Sequence, residues 1–330
     1  MILTSWFSAV IVLILASGLD YWVGDPWGWP HPVQAMGWFI ATASKPVLTH
    51  DWPNGLKRGW GVGLALVLVV GSGLGGWAIV QMAGRLHPSL ALLVEGILLA
   101  SCLAGRSLRQ AAEDVLTPLG GGDMETARQH LSRYVGRDTD NLDRPEILRA
   151  VMETVSENAT DGVLAPLFYG LIGLCIPSLG GAPLALAYKA ASTLDSMIGY
   201  REFPYTYLGW FSARLEDGLT WLPCRLTVLT IALLSGHPGQ VWAICYRDAP
   251  ADPSPNAGWS ECAYAAALGV QLGGRNYYQG VPKSKPLLGQ ALYPISSDRI
   301  RRALALTRQA TLIWLGLGLT VIVMVRVGSG

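Results

Sequence analysis

Apolar runs and polar clusters alternate along this chain, and their order predicts its elements. Residues 6–19, 59–80, 88–104, 163–188, 219–234 and 311–325 are predominantly apolar and read as candidate membrane segments. The sharpest contrast lies between Glu153 and Tyr200. Glu153, Ser156, Glu157, Asn158, Thr160 and Asp161 crowd its front, and Lys189, Ser192, Thr193, Asp195, Ser196 and Tyr200 crowd its back. Between them, from Gly162 to Tyr188, there is no charge. A simple anchor needs no such flanks, so the two clusters are expected to form one site at a membrane surface.

The remaining pattern fills in around this stretch. The first run ends in Asp20, Asp25 and His31 among Trp, Tyr, Pro and Gly, a turn-rich interfacial loop. Gly61, Gly63, Gly71, Gly73, Gly75 and Gly76 in the second run permit close helix packing. Glu95 interrupts the third run; it is either a functional carboxylate or a partner of Arg85 or a polar neighbour. Residues 107–116 and 124–134 read as amphipathic helices, the second capped by Asp123. Pro145 opens the helix that carries Glu153 and Glu157 on one face, with Asp161 continuing the row if the helix persists. Pro166, Pro177 and Pro183 make 163–188 a broken span or a re-entrant hairpin. Residues 259–272 read as a helix, 277–298 as irregular, and Asp298 as the cap of a last, basic helix.

The expected fold class is therefore all-α: a polytopic integral membrane protein with about 4–6 membrane segments, some proline-broken or re-entrant, and cytoplasmic helical loops. It is read as a single membrane-embedded domain over 1–330, with a soluble helical loop at 105–150 and a cytoplasmic loop region at 236–310. Six crossings satisfy the positive-inside rule but place Glu153–Asp161 and Lys189–Tyr200 on opposite sides. If 163–188 and 219–234 enter without crossing, the rule still holds and every polar cluster faces the cytoplasm of a plasma-membrane protein. The second arrangement is the one the site requires.

Composition agrees: 51% of residues are hydrophobic and 14% are charged. The net charge of +1 gives no field for nucleic acid. Five scattered cysteines without a C-x-x-C read as apolar packing residues. The apolar N-terminus lacks a basic leader region and reads as a retained span.

Like charges at Glu153 and Glu157 repel unless a cation lies between them, and with Asp161 and Asn158 they suit Mg²⁺, a hard ion taking oxygen ligands. The alternative is a solvated helix face. The Gly136-Arg-Asp-Thr139 turn is either an anion-contacting loop or a plain helix end. No G-x-x-x-x-G-K-[ST] occurs, so phosphates would be met by Lys and Arg rather than by a P-loop.

The ordered pieces carry a resemblance over nearly the whole chain. They are Asp20-x-x-x-Gly-Asp25-Pro-x-x-x-Pro-His31-Pro-Val-x-x-Met-Gly37, Gly136-Arg-Asp-Thr139, Glu153-Thr-Val-Ser-Glu-Asn158-x-x-Asp-Gly162, Ala165-Pro-Leu-Phe-Tyr169, Ala187-Tyr-Lys-Ala190, Thr193-Leu-Asp-Ser-Met-x-Gly-Tyr200, Ser212-Ala-Arg214, Pro223-x-Arg-Leu-Thr227 and Ser254-Pro-Asn-Ala-Gly258. Together they resemble the adenosylcobinamide-phosphate synthase family of cobalamin biosynthesis, the CbiB/CobD type. Ser192 and Cys224 depart from that pattern, where Asn and Ala are expected.

The resemblance implies an ATP-dependent ligase that joins adenosylcobyric acid to (R)-1-amino-2-propanol O-phosphate through an amide. Its implied partners are the corrinoid, the aminopropanol phosphate, the lipid bilayer and other nucleotide-loop assembly enzymes, with ATP and Mg²⁺ as cofactors. On this reading Glu157 and Asp161 hold Mg²⁺, Glu153 is a ligand or base, and Asn158 joins them. Lys189, Arg137 and Arg214 contact phosphates, and Asp195 orients Lys189 or takes the amine proton. Asp25 and His31 close the site, with Asp138, Ser192, Thr193 and Asn256 as further substrate contacts. A transporter and a non-catalytic scaffold are the competing readings. A carrier would concentrate polar groups within its spans, and a scaffold would need neither the carboxylate row nor the lysine–aspartate cluster.

Overall fold

A computed structural model describes residues 6–25, 28 and 31–327. Four helical stretches, Asn54–Leu86, Pro88–Gly120, Trp210–Leu234 and Ser297–Val325, are long and apolar enough to cross a bilayer, and the chain is a polytopic, predominantly helical membrane protein. A turn at 101–104 interrupts the second stretch. The first apolar helix, α1 (Trp6–Trp22), is shorter. The loop at 20–31 lies partly outside the described residues.

Packing divides the chain into two compact units, residues 1–104, 165–220 and 314–330, and residues 105–164 and 221–313. The expected loops at 105–150 and 236–310 fall in the second.

In the first unit, α2 (Pro32–Thr49) starts on His31, whose ring accepts the Val33 N–H, with Pro32 at the first helical position. α3 (Asn54–Leu86) packs closely on α9 (Gly181–Ile198). A Cβ on Gly73 would lie 3.2 Å from the Pro183 carbonyl oxygen, and one on Gly76 only 2.5 Å from Leu186. Gly63, Gly71 and Gly75 meet nothing there, so only part of the glycine-rich face is an interface. The opposite side of α3 exposes Leu66, Val67, Val70 and Leu74, as a lipid-facing surface does.

The segment after Asp161 turns back. α8 (Ala165–Cys175) is 11 residues, about 16 Å at 1.5 Å per residue, roughly half a bilayer core. It packs against α9 as a hairpin: Gly173 abuts the Gly180 carbonyl, and Tyr169 stacks on Tyr188 with ring centroids 5.1 Å apart. Glu95, on α4 (Pro88–Ala100), is 1% exposed and accepts the Gly181 N–H at 2.6 Å. Its structural partner is therefore a polar neighbour, the start of α9, rather than Arg85. The buried carboxylate satisfies an orphan donor of that helix and complements its dipole.

α10 (Trp210–Leu234) runs through Pro223 without a break. It is long and apolar enough to cross a bilayer, as the six-crossing arrangement has it for 219–234. Tyr188 and Tyr169 bond to its first half, Tyr188 to Thr220 and Tyr169 to the Leu219 carbonyl.

In the second unit, α5 (Gly105–Gly120) pairs with α6 (Met124–Leu131), which Asp123 caps through the Thr126 N–H. α7 (Arg144–Asn158) opens with a capping box between Asp143 and Glu146, Pro145 standing inside its first turn. It runs into a π turn, Ala159–Leu164. α11 (Pro238–Asp248) and α12 (Ala257–Leu268) follow, and α12 ends on Gly269 in the left-handed region.

Next come β1 (Gln271–Tyr278) and β2 (Val281–Gly289), an antiparallel hairpin where irregular chain was expected. The two-residue turn Gln279–Gly280 has positive φ at both positions, as its tight connection demands. A bulge at Gly273 admits the Pro286 carbonyl, which would lie 1.9 Å from a Cβ. Finally α13 (Ser297–Val327) begins one residue before Asp298. Its first-turn donor, Arg299 N–H, goes to Ser296 Oγ, so Ser296 performs the capping expected of Asp298.

Candidate active site

In the second unit the motif residues converge on a buried ionic cluster. Glu153 is 1% exposed and is gripped from several sides. Arg137 donates to Oε2; Arg149, one helical turn back, donates to Oε1 at 3.2 Å, and the Gly273 N–H to the same oxygen at 2.9 Å. Arg149 also reaches the carbonyls of Gly273 and Arg275, at 2.6 and 3.0 Å. Burial alone would raise the Glu153 carboxyl, but Arg137, Arg149 and Lys285 outweigh it and hold it below its ordinary range.

Arg137 donates further to Asn276 on β1 at 2.8 Å, and Asp138 accepts the N–H groups of Gln279 and Gly280 at 2.9 and 2.8 Å. The Gly-Arg-Asp-Thr turn thus clamps the hairpin: Asp138 binds the reversal and Arg137 the strand leading to it.

Beyond Glu153 the cluster gains acids. Lys285, on β2, lies 3.1 Å from Glu261 of α12, which is fully buried. Burial pushes the Glu261 carboxyl up to about 8, Glu157 and Glu153 adding to the rise and Lys285 opposing it. Glu157, half-buried, is pushed upward by burial and by Asp252 and Glu153. For Lys285, burial would lower the ammonium, yet the three glutamates outweigh it and raise it.

The π turn places Ser260 of α12 beside this row. Its hydroxyl donates to the Ser156 carbonyl at 2.6 Å and bonds Thr160 Oγ1 at 2.7 Å. A π turn shifts hydrogen bonds from i−4 to i−5, and Ser260 takes up a carbonyl in that region. Asp161 sits within the turn, so the helical row persists in widened form. Asn158 is exposed, its amide returning to the Thr154 carbonyl at 2.9 Å.

Two distant motifs meet at the start of α12. Arg225 bonds Asn256 at 3.3 Å and lies between the rings of Trp221 and Trp259, 5.3 and 4.5 Å from their centroids. Cys224 directs its thiol at the Asn256 carbonyl, 3.3 Å away, a bond the expected alanine could not make.

In the first unit, His31 Nδ1 accepts the Val33 N–H, which leaves Nε2–H to donate to Asp25 at 3.0 Å. The charges of Asp25 and Lys189 both reach the buried Cys102 thiol in the 101–104 turn, so the first loop and α9 converge there. On α9, Thr193 and Ser196 bond back to the Lys189 and Thr193 carbonyls at 2.7 and 3.0 Å. Ser192 lies half-buried on the same helix. Gly199 leaves room for the Asp195 carboxylate, 2.0 Å from where a Cβ would stand. Gly37 meets Met197 at 3.6 Å, pairing two motif residues. Arg214 and Arg201 both act on Asp217.

The expected site residues are thus distributed. Arg137, Asp138, Glu153, Glu157, Asn158, Asp161 and Asn256 belong to the second unit, and Asp25, His31, Lys189, Ser192, Thr193, Asp195 and Arg214 to the first. Glu153, expected as ligand or base, is taken up by two arginines. Arg137, expected on phosphates, is held by Glu153 and Asn276. Among the described residues no group of three or more His, Cys, Asp or Glu side chains is arranged to hold a metal ion. Sequence reasoning missed Arg149, Asp252, Glu261, Asn276 and Lys285. The one available signal was Arg149, four residues before Glu153; the rest are brought in by the unforeseen hairpin, by α12 and by the loop before it.

A family model described as "CobD/Cbib protein" matches residues 13–307. The chain is 54% identical to "Cobalamin biosynthesis protein CobD" of Synechocystis sp., over 97% of this chain and 94% of that protein. It is 41% identical to "Cobalamin biosynthesis protein CbiB" of Salmonella arizonae, over 93% of this chain and 96% of that one. It is also 41% identical to "Cobalamin biosynthesis protein CobD" of Halalkalibacterium halodurans, over 92% and 93%. No solved structure matches. With a family model spanning most of the chain and relatives aligned nearly end to end, this protein belongs to the CobD/CbiB family.

Proposed function

We propose that this chain acts in cobalamin biosynthesis as an ATP-dependent amide ligase, joining adenosylcobyric acid to (R)-1-amino-2-propanol O-phosphate at a site facing the cytoplasm from the plasma membrane. The observation that carries the reading is the buried ionic cluster of the second unit. It gathers Arg137, Glu153 and Glu157 of the motifs with residues of α7, α12 and the hairpin, outside the four apolar helices. A carrier would hold such groups within its spans. At the end of the same row, half-buried Glu157 and exposed Asn158 leave a face for substrate.

A carboxylate does not acylate an amine at useful rates. Phosphoryl transfer from ATP, with ADP leaving, turns it into an acyl phosphate, and the free amine attacks the acyl carbon with loss of inorganic phosphate and a proton. The chain must therefore hold phosphates, orient the acyl group and manage the proton of the ammonium. Lys189 and Arg214 are the cations assigned to phosphates in this reading, with Asp195 orienting Lys189. Asp25 and His31, paired with each other and within reach of the Lys189 region, close the loop side. Magnesium chemistry would supply charge neutralisation on the ATP phosphates. The donor set does not form a resident metal cage, with Glu153 consumed by arginines, so no step is assigned to the ion.

The test is amide formation by purified protein in detergent, given ATP, Mg²⁺, adenosylcobyric acid and the amine. Lys189→Ala is expected to lower turnover at least about tenfold with expression unchanged. Turnover that survives this change, or its absence in wild-type protein, removes the reading.

A further inference from the structure

With every acid ionised, the cluster around Glu261 would be one positive charge short, and without a further cation burial keeps a proton on Glu261, whose carboxyl is pushed up to about 8. Among the charges acting on one another there, four carboxylates (Glu153, Glu157, Glu261 and Asp252) meet three cations (Arg137, Arg149 and Lys285). Two of the cations are spent on Glu153. Lys285 alone then serves the remaining acids, and it bonds only Oε1 of Glu261. Glu261 Oε2 and Asp252 Oδ2 are buried with no hydrogen-bond partner. Two buried acceptors left open in one acidic cluster are costly unless a donor arrives to fill them.

The missing donor is a cation, and its kind can be decided. A divalent metal needs several ligands converging at close to 2 Å. Among the described residues no three acidic, His or Cys side chains are so arranged. A primary ammonium asks less: three N–H donors, each satisfied by an oxygen at hydrogen-bond distance, as Lys285 already is at 3.1 Å. Entry is available beside Lys285, whose side chain is 30% exposed, and beside half-buried Glu157.

We infer that Glu261, with Glu157, receives the primary ammonium of the amine substrate, Glu261 Oε2 accepting one of its N–H bonds while Lys285 holds Oε1. This rests on the ligase reading for the identity of the amine. The ammonium site itself rests only on the charge count and the unpartnered oxygens. Lys285 acts as a positioning residue, holding Oε1 of the Glu261 carboxylate so that Oε2 is left for the incoming donor. The hairpin therefore contributes to the site by delivering that lysine.

The test separates the two layers. Binding of 1-amino-2-propanol O-phosphate and of its deaminated analogue, 2-propanol phosphate, is measured by calorimetry on full-length protein in detergent, without ATP. Wild-type protein is expected to prefer the amine at least tenfold, and Glu261→Gln to bring that preference close to one. In turnover, Glu261→Gln and Glu157→Gln should each raise KM for the amine while leaving KM for ATP unchanged. Glu157→Gln is the second variant because its partly exposed site tolerates change better. A folded Glu261→Gln protein with the wild-type preference overturns the inference, as does wild-type protein with no preference. Amine preference without amide formation would keep the ammonium site and remove the ligase.

Discussion

Glu153 and Arg149, one helical turn apart on α7, fasten the same strand residue. The carboxylate accepts the Gly273 N–H at 2.9 Å while the guanidinium donates to the Gly273 carbonyl at 2.6 Å. The two also bond each other at 3.2 Å. Helix and hairpin are thus locked through one glycine, whose missing side chain leaves the bulge open to the Pro286 carbonyl.

Glu153→Gln is expected to destabilise the second unit by about 3–5 kcal/mol, because it leaves two buried guanidiniums without their charge partner. The folded carboxyl lies below its ordinary value of 4.5. Its stabilising share is therefore complete above that value and lost as pH falls through the lower, folded one. Thermal unfolding in detergent at neutral and acid pH should show wild-type protein losing stability below 4.5 and the variant losing less; equal acid losses would refute the assignment.

Glu261 works in the opposite sense and in another window. Its folded carboxyl sits at about 8 against an ordinary 4.5. The folded state keeps the proton longer, so stability is highest below 4.5, declines as pH rises toward 8 and levels off above. The slope is at most about 1.4 kcal/mol per pH unit. Denaturant unfolding between pH 5 and 9 should give this decline in wild-type protein and a flatter line in Glu261→Gln. An unchanged slope would contradict it.

Gly173→Ala should disrupt the α8–α9 hairpin, since its Cβ would lie 2.2 Å from the Gly180 carbonyl oxygen. Overpacking of this kind costs about 1–3 kcal/mol, and a rigid backbone carbonyl gives little way. Gly63→Ala, facing open space on α3, serves as the control and should be close to neutral. The melting temperatures of the two variants decide the point.

Glu95→Leu should lower the melting temperature more than Glu95→Gln. Leucine leaves the Gly181 N–H unsatisfied, a loss of about 1–3 kcal/mol, whereas the glutamine carbonyl can still accept it. Equal effects would mean that the capping bond contributes nothing.

Much of this was legible along the chain. The apolar runs located the crossing helices, and Asp123 and Pro145 marked the starts of α6 and α7 because capping chemistry is local. The prolines and glycines of 163–188 announced a break, and the hairpin there returns the chain with Tyr188 stacked on Tyr169. The unbroken α10 was not legible: Pro223 and Arg225 signal interruption only if nothing packs around them. Here Arg225 is flanked by Trp221 and Trp259 and bonded to Asn256, a residue 31 positions away.

The β-hairpin was hidden for a related reason. Its strands hold Gly273, Gly274, Pro282 and Pro286, poor strand formers whose use depends on a bulge and on pairing partners that no local pattern records.

By itself, then, the sequence determined what nearest neighbours and solvent decide: helix starts, apolar segments, the proline-broken charge-free stretch and the ordered motifs of a family. Only the tertiary structure decided which charges meet. It gave Glu153 to Arg137 and Arg149, and it brought Lys285 to Glu261 across 24 residues. The electrostatic balance of a buried site depends on distances between side chains, and those are set by packing rather than by order along the chain.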